Sequence, residues 1–175
     1  MRVIDFHSHF FSRPFFDALA AASPRSGSID EKLASVSQAT GIELPSPDLA
    51  THLARWVADL DAKGVEHLVT FASLPEEISA VGEAAAMSAG RITAMALVNP
   101  GVEGAPERVA GLLGQGFRGI LTFPAMHHFH PAGGDMRAVL GVLAERVAIC
   151  YVHCGLLVVK LRDLLGLPRP YDLSY

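Results

Sequence analysis

The stretch SPDLATHLARWVADLDAKGVEHLVTF, residues 46–71, carries one complete helix-to-strand unit and sets the reading of everything around it. Ser46 can cap a helix over Asp48–Lys63, and Pro47 suits its first position. Leu49, Leu53, Trp56, Val57 and Leu60 recur at helical spacing, and Gly64 supplies a stop. Val65–Phe71 then reads as a short apolar strand. Outward from this unit the same alternation repeats. Arg2–His7 is a strand before it. Glu76–Ala89 is a helix after it, followed by strand Ile92–Val98, helix Ala105–Gln115, strand Gly119–Phe123, helix Asp135–Arg146, strand Ala148–His153 and helix Leu156–Leu165. Five consecutive β-then-α units predict an α/β domain with a parallel sheet covered by helices. An open doubly wound sheet and a (β/α)8 barrel both satisfy that pattern. No GxGxxG or GxxxxGK[ST] follows any strand, which weighs against the nucleotide-binding versions.

Composition bounds the answer. Of 175 residues, half are apolar and 18% charged, which excludes disordered and collagen-like chains and predicts one domain over residues 1–175. No apolar run reaches the roughly 20 residues a membrane span needs. Net charge is −4 with no basic block, so neither nucleic acid nor a membrane is expected as a partner. Two cysteines make no disulfide framework, and Met1–Asp5 lacks the apolar block of a signal peptide; a cytoplasmic location is expected.

One connection is long. Residues 10–47 separate the first strand from the first long helix, and loops beyond about 12–15 residues are usually functional or mobile. The segment opens Phe10-Phe11-Ser12-Arg13-Pro14-Phe15-Phe16 and leaves the C-terminal end of its strand, where parallel α/β folds keep their sites. It reads as a lid-like insertion with aromatic anchors such as Phe11, or as a helical hairpin that merely packs. Arg13 could pair bidentately with a substrate carboxylate; a surface role is the plainer reading.

Asp5-Phe6-His7-Ser8-His9 is the most informative stretch. Strand alternation puts Asp5, His7 and His9 on one face, so two imidazoles can reach one ion, with Asp5 able to accept from an imidazole or from nearby backbone. His153 ends the fifth strand. The same parity puts Ile149, Tyr151 and His153 on one face and Cys150 and Cys154 on the other, towards the helices, as small core residues. The triplet His127, His128 and His130 follows the fourth strand; His128 is the candidate there for proton transfer or substrate contact, against a merely solvated loop. His52 and His67 read as structural.

With these residues in view, the chain resembles the amidohydrolase superfamily, in its amidohydrolase-related branch that includes aminocarboxymuconate-semialdehyde-type decarboxylases. The resemblance rests on Ile4-Asp5-Phe6-His7-Ser8-His9, on Gly116-Phe117-Arg118-Gly119-Ile120 and on Tyr151-Val152-His153-Cys154-Gly155. It implies a metal-dependent TIM barrel of which about five of eight βα units are present, with His7, His9 and His153 as metal ligands. It implies hydrolysis of C–N or C–O bonds by metal-activated water, or decarboxylation of a small unsaturated or aromatic acid. Dinuclear members carry a carboxylated lysine at the end of strand four. This chain has none there, and Lys160 falls in a later helix, so one divalent ion is implied, zinc by default for imidazole sites. The family's strand-six histidine and strand-eight aspartate have no counterpart before Tyr175. The expectation is therefore the N-terminal part of a longer enzyme, or a half-barrel that needs a partner chain or a second copy. Phosphoesterases that also begin with His-x-His are a further class, disfavoured by only three lysines.

Overall fold

In the computed structural model, which describes residues 2–155 and 160–169, five parallel strands lie in chain order: β1 (Ile4–His9), β2 (His67–Phe71), β3 (Ile92–Leu97), β4 (Gly119–Thr122) and β5 (Ile149–Val152). Helices α1 (Arg13–Ala22), α2 (Ile29–Thr40), α3 (Leu49–Ala62), α4 (Ile78–Met87), α5 (Ala105–Gly114), α6 (Pro124–His127), α7 (Gly134–Glu145) and α8 (Lys160–Leu164) follow the strands. The start of the helix expected over Leu156–Leu165 and the tail from residue 170 lie outside the described residues.

Period-two alternation makes the two layers. One face of the sheet (Leu68, Ile92, Ala94, Ala96, Ile120) packs against Leu53 and Leu60 of α3, Val81 of α4, Val109 and Leu112 of α5 and Val139 of α7. The other face (Val69, Phe71, Met95, Leu97, Leu121, Phe123) packs on itself with Tyr151. Each of the larger aliphatic and aromatic side chains among these, once buried, contributes roughly 1.5–3 kcal/mol. Because the inner face closes on its own side chains, the sheet curls, and the fold is a partial (β/α)8 barrel. Among the described residues β1 pairs only with β2 and β5 only with β4. No helix among them is long and apolar enough to cross a membrane.

Several local expectations are corrected. Asp48, not Ser46, caps α3: its carboxylate accepts from Thr51 N at 2.9 Å, while Ser46 Oγ accepts from Asp48 N. Asp48 sits two positions nearer the free N–H groups than Ser46 does, so Pro47 stands before the cap. Residues 10–47 contain two helices. Phe15, Phe16, Leu19 and Ala20 of α1 and Leu33 and Val36 of α2 bury against one another and against Leu161 and Leu165. Gly41 in the left-handed conformation (φ 72°) ends α2. β1 runs two residues further than expected and holds a bulge: Asp5 pairs with Leu68 but Ser8 with Thr70, three steps against two. Of the cysteines, Cys150 packs with the helix layer, whereas Cys154, past the strand end, is exposed.

Candidate metal centre

The bulge decides how the first strand presents its polar groups. Asp5 Oδ1 accepts from the backbone N–H of His7 at 3.0 Å, so this carboxylate is spent on the local turn and not on an imidazole. His7 and His9 then stand side by side, ring centroids 5.5 Å apart, both against Phe71. The curl of the sheet brings β5 across to them: Tyr151 Oη lies 2.7 Å from His7 Nδ1, although 144 residues separate the two. His9 Nδ1 lies 2.7 Å from Ser73 Oγ, just past β2. Each imidazole of the pair thus has one nitrogen tied to a hydroxyl. When Nδ1 carries the proton and donates, Nε2 is left as the metal-binding lone pair.

His153 follows β5, tilted against Phe123 at 5.1 Å. It acts on His9 and is acted on by His7: His9 is pushed down to about 4 by burial, then by His7 and His153, and His153 is lowered by burial, then by His7. Neutral imidazole is the ligand form, so this donor set suits a borderline divalent ion. Among the described residues, however, no three His, Cys, Asp or Glu side chains already stand as a coordination group. The rings share one rim of the half-barrel but do not form a ready-made shell.

The segment leaving β1 is fixed from two sides. His52 Nε2 and Trp56 Nε1 of α3 both reach the Phe10 carbonyl at 3.2 Å. On the far side, Ser12 N–H and Oγ–H donate to Glu77 Oε1 at 2.6 and 3.2 Å. Between these anchors Phe11 is held at φ 48°, a conformation that non-glycine residues rarely adopt, and its ring stacks on His9 at 5.2 Å and 13°. Trp56→Phe, which deletes one donor to the Phe10 carbonyl, is expected to lower stability by about 1 kcal/mol. Urea unfolding followed by circular dichroism measures this; fluorescence does not, because Trp56 is the chain's single tryptophan.

The remaining expected site residues are placed as follows. Arg13 donates to Asp17 and Asp30, both at 2.6 Å, and so binds α1 to α2; its guanidinium is engaged within the hairpin. His128 is exposed at the end of α6 with φ 55°. His127, which sequence reasoning passed over, is the one that turns inward: its Nδ1 is buried without a partner among the described residues, and burial, then His128, pushes it down to about 4. With Asn99 and Arg108 it lines a cavity of about 300 Å³ beyond β3. His67 is structural, with both ring nitrogens bonded at 2.9 Å, to the Gly90 carbonyl and Thr93 Oγ1. Ser73, Glu77 and the Tyr151 hydroxyl are site residues that the sequence did not single out. Position supplies the only signal for Ser73: it lies two residues past a strand end, on the rim where such folds keep their chemistry.

No family model matches the chain, and no curated protein matches it. Solved structures do. A probable 2-pyrone-4,6-dicarboxylic acid hydrolase from Acinetobacter baumannii, with citric acid bound, superposes with TM-score 0.58 at 16% identity over 88% of this chain and 50% of that one. A 5-carboxyvanillate decarboxylase from Novosphingobium aromaticivorans, with manganese and 3-methoxy-4-hydroxy-5-nitrobenzoic acid, superposes with TM-score 0.59 at 17% identity over 87% of this chain and 50% of that one. A second structure of that decarboxylase, with manganese and the same nitrobenzoic acid, has TM-score 0.57 at 18% identity, again over 87% and 50%. These are enzymes of the amidohydrolase superfamily. The chain spans about half their length, and what it shares with them is the fold of that half.

Proposed function

We propose that this chain is the metal-holding part of an amidohydrolase-type enzyme that hydrolyses a C–N or C–O bond of a small molecule, with His7, His9 and His153 as ligands of one divalent ion. The observation that carries the reading is the contact of Tyr151 with His7, which draws the rims of β1 and β5 together beside His9 and within electrostatic reach of His153. A bound divalent ion supplies an activated water and polarises a carbonyl or carboxylate oxygen. The chain's own residues do the rest. Tyr151 and Ser73 hold the two imidazoles in one tautomer, and Phe71 and Phe11 wall the pair with apolar rings. Phe11 and His128 are the proposed substrate contacts. Arg13 joins them only by leaving Asp17 and Asp30. Zinc suits imidazole ligands, and manganese is the ion in the decarboxylase structures.

Those manganese-bound structures favour decarboxylation of an aromatic acid as the second reading. A third concerns assembly. Ile4 and Phe6 of β1 and Ile149 of β5 are exposed although apolar, as edge strands awaiting further barrel strands would be. The experiment supplies the purified chain with Mn²⁺ or Zn²⁺ and a panel of lactones, amides and benzoic acids, and follows acid release and CO₂ release separately. Slow acid release that a chelator abolishes is expected, because the chain supplies the proposed metal ligands but neither the family's strand-six histidine nor its strand-eight aspartate. CO₂ release instead transfers the assignment to the decarboxylase reading, and neither product leaves the half-barrel needing its partner.

A further inference from the structure

Glu77 is the only acidic residue among the buried ones described, with no exposed surface at all, and its carboxylate faces donors from two different loops. Oε1 accepts from Ser12 N–H and Oγ–H, and Oε2 accepts from Ser73 N–H at 2.8 Å. Ser12 is the N-cap of α1 and makes no side-chain cap of its own; the Glu77 carboxylate holds its amide and hydroxyl instead, next to that helix's positive end. Ser73 is the residue whose hydroxyl meets His9 Nδ1. One carboxylate therefore joins the exit of β1 to the exit of β2, and the second of these exits touches the imidazole directly. In each of these three bonds a Glu77 oxygen is the acceptor, which is the work of an anion. Burial pushes its pKa up, and the bonds from Ser73 and Ser12 pull it back. An acid placed at that expense, beside residues that carry no charge, needs a reason beyond packing.

We infer that Glu77 is a positioning residue: through Ser12 and Ser73 it fixes the loops after β1 and β2 and so sets the orientation and tautomer of the His9 imidazole. The use of that orientation for an ion rests on the metal reading above. The device explains why Phe11 can be held at a disfavoured φ beside the site. The Phe10 carbonyl is pinned by α3 and the Ser12 amide by Glu77, which clamps the residue between them on both sides.

The test uses the full chain with ¹⁵N-labelled histidine and reads ring-nitrogen shifts without metal, then Mn²⁺ affinity by calorimetry. His67, bonded elsewhere, is the internal reference. In the parent protein His9 is expected in a single Nδ1–H tautomer. Glu77→Gln, which turns an amide N–H₂ towards a backbone donor, is expected to shift His9 to tautomer-averaged signals, leave His67 unmoved, and weaken Mn²⁺ binding by about 10–100-fold. Ser73→Ala is expected to act in the same direction, and the double variant to be less than additive. Unchanged His9 signals in a folded Glu77→Gln protein overturn the inference, as does full additivity. If Glu77→Gln does not fold, Ser12→Ala decides: it removes one hydroxyl donor and keeps the anion, so a His9 shift supports the inference and none overturns it. A parent protein that binds no Mn²⁺ defeats the metal reading alone, because the metal-free His9 signals still decide the role of Glu77.

Discussion

His7→Ala is expected to lower the affinity of the chain for Mn²⁺ or Zn²⁺ by roughly 100-fold, with His153→Ala close behind. The magnitude follows from ligand counting. Four-ligand zinc sites are worth about 10–16 kcal/mol, so one imidazole accounts for about 3 kcal/mol, or about two powers of ten. His7 is the sensitive position because it links both edges of the half-barrel: it is the proposed ligand on β1, and its Nδ1 meets Tyr151 of β5. Removing it takes away the proposed ligand and the side-chain contact between β1 and β5. Since no described group stands pre-assembled, the ion has to draw His153 in, and binding should raise the melting temperature as it does so. His67→Ala is the control, because that ring is bonded to Gly90 and Thr93. Calorimetric titration of the three variants measures the effect. Equal affinities across the parent, His7→Ala and His153→Ala would remove the ligand assignment.

Gly119→Ala is expected to be the most damaging single methyl in the protein. A Cβ at this position would overlap the backbone carbonyl of Ile149, its register partner across the β4–β5 ladder. Backbone cannot step aside as a flexible side chain does, so β5 has to move away from β4. Overpacking of this kind costs about 1–3 kcal/mol, and the loss falls on an edge strand with no second neighbour among the described residues. The consequence reaches the site, because β5 carries the Tyr151 hydroxyl to His7 and leads into His153. Hydrogen exchange is therefore expected to speed up at Ile149 and His153, whose amides bond the Arg118 and Thr122 carbonyls, with a parallel loss of metal affinity. Gly114→Ala, at a helical position where a Cβ meets nothing within 4 Å, should be neutral or mildly stabilising. If the two variants unfold at the same urea concentration, the close approach of the strands is not what position 119 requires.

The alternation of strands and helices was open to reading because it is local. Burial on one face or one stripe imposes period two or 3.6 on a short window, and glycines past the helix ends mark the stops. The pair His7 and His9, and the parity that turns Tyr151 and His153 away from Cys150, came from the same arithmetic. Arithmetic failed where one residue departs from it. The bulge in β1 diverts Asp5 to the His7 amide, and nothing in the local composition announces an extra residue in a ladder. The long insertion reads equally as a lid or as a hairpin. Its two helices are visible in the structure because their apolar faces meet each other and α8, an encounter that local spacing does not contain.

By itself the sequence determined the parallel α/β class and the placing of three histidines at strand ends, while a doubly wound sheet and a barrel, with their different strand orders, both stayed open. That class and that placing follow from contacts made within a few residues and from the rule that connections between neighbouring strands are short. Only the tertiary structure decided which polar groups meet: Tyr151 with His7, Ser73 with His9, Glu77 with Ser12, and Arg13 with Asp30 instead of a substrate. Those pairings join residues 17 to 144 positions apart: Arg13 meets Asp30 inside the α1–α2 hairpin, the Ser73 and Glu77 contacts join the exits of the paired strands β1 and β2, and Tyr151 reaches His7 because a twisted sheet curls, none of which a periodicity along the chain encodes.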